Sequence, residues 1–165
     1  MNENGESWSQ VGVDGFLKLA VGPDGKVWAV NNKKKLYKSG KNGKWIFIAD
    51  EVRDVAVGAD GSVFVLGGKK IKNGWSVKKY VRKDQWLTFP GRVRRIAVDP
   101  VGWPWVISSR LNVYGWNGLS WTNYKGPAKE IAVGGDGSVF ILRGTNIFKL
   151  NHAQKKWIQI EGKAL

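Results

Sequence analysis

The 165-residue chain contains no cysteine, a single histidine and a single methionine. Without cysteine there are no disulfides, no thiolate metal sites and no thiol nucleophile. The one histidine, His152, sits in an Asn-His-Ala-Gln turn with no adjacent Asp or Ser, so no nucleophile, base and orienting group are brought together. It reads as a solvent-facing turn residue. No apolar run approaches the ~18 residues of a membrane-spanning helix. The segment Met1–Ser7 is polar and acidic, without the basic and apolar regions of a secretory leader. Helical periodicity, a phosphate-cradling glycine loop and low-complexity linkers are likewise missing. These absences predict a soluble, intracellular (cytoplasmic or cytoskeletal) chain, with a flexible segment over 1–7 and one folded domain over 8–165. No catalytic set, cofactor motif or metal-ligand cluster is expected.

Acidic residues are the last scarcity: 13 Asp and Glu stand against 27 Lys and Arg, for a formal charge of +14. Solubility alone needs about half of that. So strong a field favours an anionic partner, whether nucleic acid, membrane face, acidic protein surface or sulfated glycan.

What is abundant is repetition. Ala20-Val21-Gly22-Pro23-Asp24-Gly25-Lys26-Val27-Trp28 returns as Ala56-Val57-Gly58-Ala59-Asp60-Gly61-Ser62-Val63-Phe64 and as Ala132-Val133-Gly134-Gly135-Asp136-Gly137-Ser138-Val139-Phe140. A worn copy runs from Ala97 to Trp105, with Asp99-Pro100-Val101-Gly102 in place of the usual turn. Each copy reads as strand, Asp-Gly turn and strand, because Gly accepts a positive φ and Asp bonds its own backbone. A second marker keeps step: Trp8, Trp45, Trp86, Trp121 and Trp157 are spaced by 37, 41, 35 and 36 residues. Between motif and Trp lies a third short strand bearing an aromatic: Tyr37, Tyr80, Tyr114 or Phe148.

Four short antiparallel strands per unit of this length describe a propeller blade, with Ala-Val on the innermost strand and the Trp on the outermost. The fold class predicted is therefore all-β, a propeller of four repeats plus one extra N-terminal strand carrying Trp8. Five Trp strands for four inner motifs leave either a closed small ring or an open arc whose end faces partners complete. The open arc is the expectation carried forward.

The pattern Ile-Ala-Val-Gly-x-Asp-Gly-Ser-Val-Phe, an aromatic strand and then Trp-x-x-φ-x-Gly resembles the tectonin repeat. It is clearest in Ile131–Phe140 with Trp157–Gly162, and in Leu19–Trp28 with Trp45–Ile48. The resemblance covers the chain from Trp8 onward. It implies a β-propeller that binds rather than catalyses: an intracellular adaptor, or a glycan-binding lectin as some relatives are. WD40 repeats are disfavoured, since no Trp in the repeat is followed by Asp.

Most Trp residues are assigned to packing. Trp75, Trp103 and Trp116 fall outside the periodic positions and are read as loop aromatics available to a partner. Asp24, Asp60 and Asp136 are turn formers, since each turn offers one carboxylate where calcium needs about 6–8 oxygens. Positive charge gathers at Lys33-Lys34-Lys35 with Lys38 and Lys41, at Lys69-Lys70-Lys72 with Lys78-Lys79-Arg82-Lys83, and at Arg92-Arg94-Arg95. The stretch Lys69–Trp75 reads as a loop insertion, which in such arrays marks the binding face. The candidate partner-binding set is thus Lys33, Lys34, Lys35, Lys69, Lys70, Lys72, Trp75, Lys78, Lys79, Arg92, Arg94, Arg95, Trp103 and Trp116. The expected partner is an acidic protein surface, such as a cytoskeletal filament, or a glycan. Further copies or other chains would complete the arc. Sequence-specific nucleic-acid binding is not expected, because no recognition helix or base-stacking motif is visible.

Overall fold

A computed structural model describes residues 15–163. The expected Trp8 strand and the flexible segment 1–7 lie outside the described residues. The first blade is built from β1 (Phe16–Val21), β2 (Val27–Asn31), β3 (Leu36–Ser39) and β4 (Trp45–Ala49) in that spatial order. The second uses β5 (Val52–Val57), β6 (Val63–Ile71), β7 (Gly74–Arg82) and the front half of β8 (Gln85–Val98). The back half of β8 opens the third blade, continued by β9 (Pro104–Ser108), β10 (Val113–Trp116) and β11 (Trp121–Lys125). The fourth comprises β12 (Glu130–Val133), β13 (Val139–Arg143), β14 (Asn146–Asn151) and β15 (Lys156–Lys163). All pairings are antiparallel, and the architecture is a β-propeller of four blades. Because β8 serves two blades, blades 2 and 3 form one seven-stranded sheet, bent where Gly91 takes φ 139°.

The hub hairpins form as their sequence dictates. Gly25 donates to the Gly22 carbonyl and Gly22 to that of Lys26, while Gly25 adopts φ 70°. Gly61 and Gly137 repeat this geometry. Asp24, Asp60 and Asp136 each accept a backbone N–H two residues on. The worn copy keeps the turn by another route. Asp99 stands two places earlier, where the other copies have glycine, and its Oδ1 accepts from the N–H of Val101 and Trp103 at 3.1 and 2.8 Å. The turn carboxylate is thus displaced rather than lost.

Alternation along each inner strand sends one set of side chains to the preceding blade and the other to the following blade. Three cores result. Trp28, Val30 and Leu36 meet Val52, Val55 and Val65 between blades 1 and 2. Phe64, Leu66 and Val77 meet Val93, Ile96 and Val98 between blades 2 and 3. Trp105 and Ile107 meet Val139 and Ile141 between blades 3 and 4. The outer Trp residues close each gap: Trp121 Nε1 donates to the Pro90 carbonyl of the preceding blade at 2.6 Å, and Trp157 to that of Tyr124 at 2.8 Å.

Inner strands pack in sequence, β1 on β5, β5 on β8 and β8 on β12. No comparable contact joins β12 to β1 among the described residues. The exposures agree: Val55 and Ile96 are 5% and 7% exposed, whereas the equivalent Leu19 of blade 1 is 68% exposed. At the other end Ala132 is exposed, although its equivalents Ala56 and Ala97 are buried. The four blades form an open arc. Among the described residues no helix is long and apolar enough to cross a membrane.

The same repeat position therefore carries different weight in different blades. Phe64→Ala, at a fully buried ring, is expected to cost about 3–5 kcal/mol. Phe140→Ala, at the equivalent half-buried ring of blade 4, should cost less than about half as much. Urea denaturation of both variants checks this, and equal losses would contradict the open arc.

Candidate functional site

The hairpin topology sorts the loops onto two rims. One rim carries the four hub turns with Asp24, Asp60, Asp99 and Asp136. The opposite rim carries the turns after β2, β6, β9 and β13, together with the connectors that lead into the next blade. Backbone bonds stitch this second rim: the Val52 N–H donates to Lys34 O, Gly68 to Glu51 O, Ser109 to Arg92 O and Ala128 to Leu111 O.

That stitched rim is the basic one. Lys33 and Lys34 stand exposed on the first turn, and Lys69, Lys70 and Lys72 on the second. Arg92 and Arg94 follow on the bend of β8, Arg110 on the third turn, Lys125 at the end of β11 and Lys129 on the last connector. Lys35 is half-buried there, held 3.6 Å from Asp50. Clusters distant in sequence are thus brought to one edge. The stretch Lys69–Trp75 is a two-stranded extension of β6 and β7, turning at Lys72-Asn73 with Lys72 at φ 49°, and not an unstructured loop. Arg94 Nε donates to the Asn73 carbonyl at 3.3 Å and ties this extension to β8.

Other candidates are placed elsewhere. Lys78 and Lys79 lie half-buried inside β7, with Lys79 Nζ 5.4 Å from the Phe64 ring centroid. Arg95 points to the hub, where its Nε donates to both Glu130 oxygens at 2.7 Å. The three non-periodic Trp residues are all half-buried. Trp75 is a strand residue against the second core, with the Arg53 guanidinium 4.8 Å from its ring. Trp116 lies in β10, edge-on to Phe89 and Trp121 at 5.1 Å each. Trp103 leans across the β8–β9 turn toward Gly118. For Trp75 and Trp116 the reason is that the gap between blades 2 and 3 widens outward and large rings fill it; Trp103 stays in its turn, packed within blade 3.

Between the bend of β8 and the third turn the rim opens into a cleft of about 300 Å³. Arg92, Arg110, Ser108 and Ser109 supply its polar groups, while Tyr114 and Trp121 supply aromatic walls. Two guanidiniums beside hydroxyls are a donor set chemically suited to a carboxylate or other oxyanion, because Arg presents several N–H donors in a fixed fork. Sequence reasoning found Arg92 but missed Arg110, Ser108 and Ser109, which share no cluster with it in the chain. His152 is exposed on the opposite rim, edge-on to Trp105 at 6.0 Å, in keeping with a turn residue.

A second electrostatic feature lies at the hub. Two residues before the inner Ala of each blade stand Lys18, Asp54, Arg95 and Glu130 in order around the arc. Burial pushes the Asp54 carboxyl up to about 6, and the charges of Lys18 and Arg95 work against that rise. Asp136, by contrast, is lowered by the backbone N–H and hydroxyl of Ser138. The alternating quartet was legible once the repeats were aligned on Ala-Val, yet it eluded a search for charge clusters.

The family model for the tectonin domain matches residues 1–165. No curated protein matches the chain. Solved structures share its shape at low identity. Against U3-55K the TM-score is 0.72 at 15% identity, covering 92% of this chain and 54% of the other. Against YCF48 bound to a D1 peptide it is 0.60 at 14%, covering 94% and 58%. Against a gluconolactonase from Xanthomonas campestris it is 0.64 at 11%, covering 87% and 61%. Identities this low carry the fold and nothing more. The chain spans little more than half the length of each.

The buried carboxyl at Asp54 makes a checkable statement about pH. Its folded-state value of about 6 lies above the ordinary 3.8, so the folded protein binds the proton more tightly. Its contribution is fully present below about pH 4 and is lost as pH rises through about 6, with an upper bound near 3 kcal/mol. Asp54→Asn should remove that slope. Guanidinium denaturation at about pH 4, 5, 6 and 7 measures it, and parallel wild-type and variant curves would refute the assignment.

Proposed function

The chain belongs to the tectonin family, and from that footing we propose that it is a non-enzymatic binding scaffold that docks an acidic protein partner on its stitched basic rim. A propeller of this family is a binding fold in general; the partner is the finer step. One observation carries the reading: turns and connectors of blades 1, 2 and 3 bring Lys33, Lys34, Lys69, Lys70, Lys72, Arg92, Arg94 and Arg110 to one edge. An edge of that length and sign suits an extended acidic surface, such as an intracellular filament with acidic tails, better than a compact ligand. The cleft of Arg92 and Arg110 would take one acidic side chain or a terminal carboxylate and set the register. The binding reading is favoured over catalysis because the hub carboxylates are engaged by their own turns. YCF48 bound to a D1 peptide is a same-fold case in which a peptide is held.

Binding of a fluorescent glutamate-rich peptide, followed by anisotropy, tests the proposal. Affinity should fall about tenfold or more between low and high salt, since exposed charges are screened within a Debye length of about 10 Å at 0.1 M. Neutralising Lys33, Lys34, Lys69, Lys70 and Lys72 to Gln should weaken binding and flatten that salt dependence. Arg92→Ala with Arg110→Ala should weaken it without flattening the slope as much. Salt-insensitive binding, or saturable binding to a glycan array in place of the peptide, would move the assignment to the lectin alternative.

A further inference from the structure

We propose that two copies of this chain join end to end, blade 4 of each on blade 1 of the other, to close a ring of eight blades. The occupant of each uncovered end face is thus a second copy. Blade 1 presents Leu17, Leu19 and Val21 to solvent, at 69%, 68% and 55% exposure. The equivalents of Leu19 and Val21 in the later blades, Val55 and Val57, Ile96 and Val98, and Ile131 and Val133, are the side chains that receive the preceding blade. Blade 4 presents Ala132, Phe140 and Leu142, whose equivalents in the earlier blades plug into the following one. Phe140 stands where Trp28, Phe64 and Trp105 are 3%, 0% and 6% exposed. The two end faces are therefore the two halves of the junction already made three times within the chain, and their shapes are complementary by repetition.

Two further observations select a second copy over an unrelated cover. At the hub the charges run Lys18, Asp54, Arg95, Glu130, alternating in sign, with Arg95 and Glu130 in contact at 2.7 Å. The charge next due after Glu130 is positive, and Lys18 of a second copy supplies it. Alternation then continues unbroken around the ring. At the outer edge, Trp121 and Trp157 each donate to a carbonyl on the outer strand of the preceding blade. The corresponding Trp45 Nε1 is buried with no acceptor among the described residues. A preceding blade 4 would offer it the equivalent carbonyl on β15, near Ile160. The basic rim is untouched by this junction, so ring closure and partner docking stand or fall separately.

Sedimentation equilibrium of the full chain at micromolar concentration should give twice 18.4 kDa. Leu19→Asp and Ala132→Asp alter side chains already exposed within one chain, so each should keep its circular dichroism spectrum and sediment as a monomer. An equimolar mixture of the two variants should dimerise again, because one sound junction remains: the unaltered blade 4 of the first meets the unaltered blade 1 of the second. A monomeric wild type overturns the proposal. So does either variant remaining dimeric alone, or a ladder of species larger than the dimer, which would mean that the ends do not close.

Discussion

Everything in this molecule follows from the fact that a four-stranded blade is apolar on both faces and can bury neither by itself. Water removed from one face by one neighbour leaves the other face to the next, so blades 2 and 3 each stabilise two junctions while blades 1 and 4 make one each. The small Ala of the inner strand lets blades converge at the hub, and the Trp of the outer strand spans the widening gap. The Trp N–H does more than fill space. In Trp121 and Trp157 it donates to a carbonyl of the preceding blade and so ties one outer strand to the next.

The frame was legible from sequence because a repeat states its own alignment. Asp-Gly punctuation, the period-two alternation and the spaced Trp residues together named the strands, their order and the family. The sites were less legible, for reasons that differ by residue. Trp75 and Trp116 read as loop aromatics because their positions break the period, but a bend or an extended hairpin absorbs irregular residues into strands. Arg95 read as part of a basic run, although strand alternation turns it away from Arg94 and into the hub. Arg110 was overlooked because a lone arginine after two serines carries no local signal; only the register of β8 and β9 places it beside Arg92. The turn at Asp99 shows the limit most plainly. A motif search sees a missing aspartate, while the backbone sees an acceptor of the right reach two residues earlier.

Charge in this protein works on two scales. The rim collects like charge on exposed turns, where it produces a long-range field that salt weakens. The hub interleaves opposite charges at positions that are half-buried for Lys18, Asp54 and Arg95 and exposed for Glu130, where they are felt between neighbouring blades. A net charge of +14 is therefore no simple guide to where a partner binds, since part of it is spent inside the arc.

Strand β8 gives the arc an uneven mechanical grain. Blades 1 and 2, and blades 3 and 4, are joined by connectors that can hinge without breaking a sheet, whereas blades 2 and 3 share one continuous fourteen-residue strand. Separating that middle pair would tear ladder bonds on both sides of β8 at once. The molecule thus consists of a stiff central plate with a leaf on either side. Fluctuations that open a junction will concentrate at the two leaves, leaving the basic cleft beside the bend of β8 on the part of the structure that moves least.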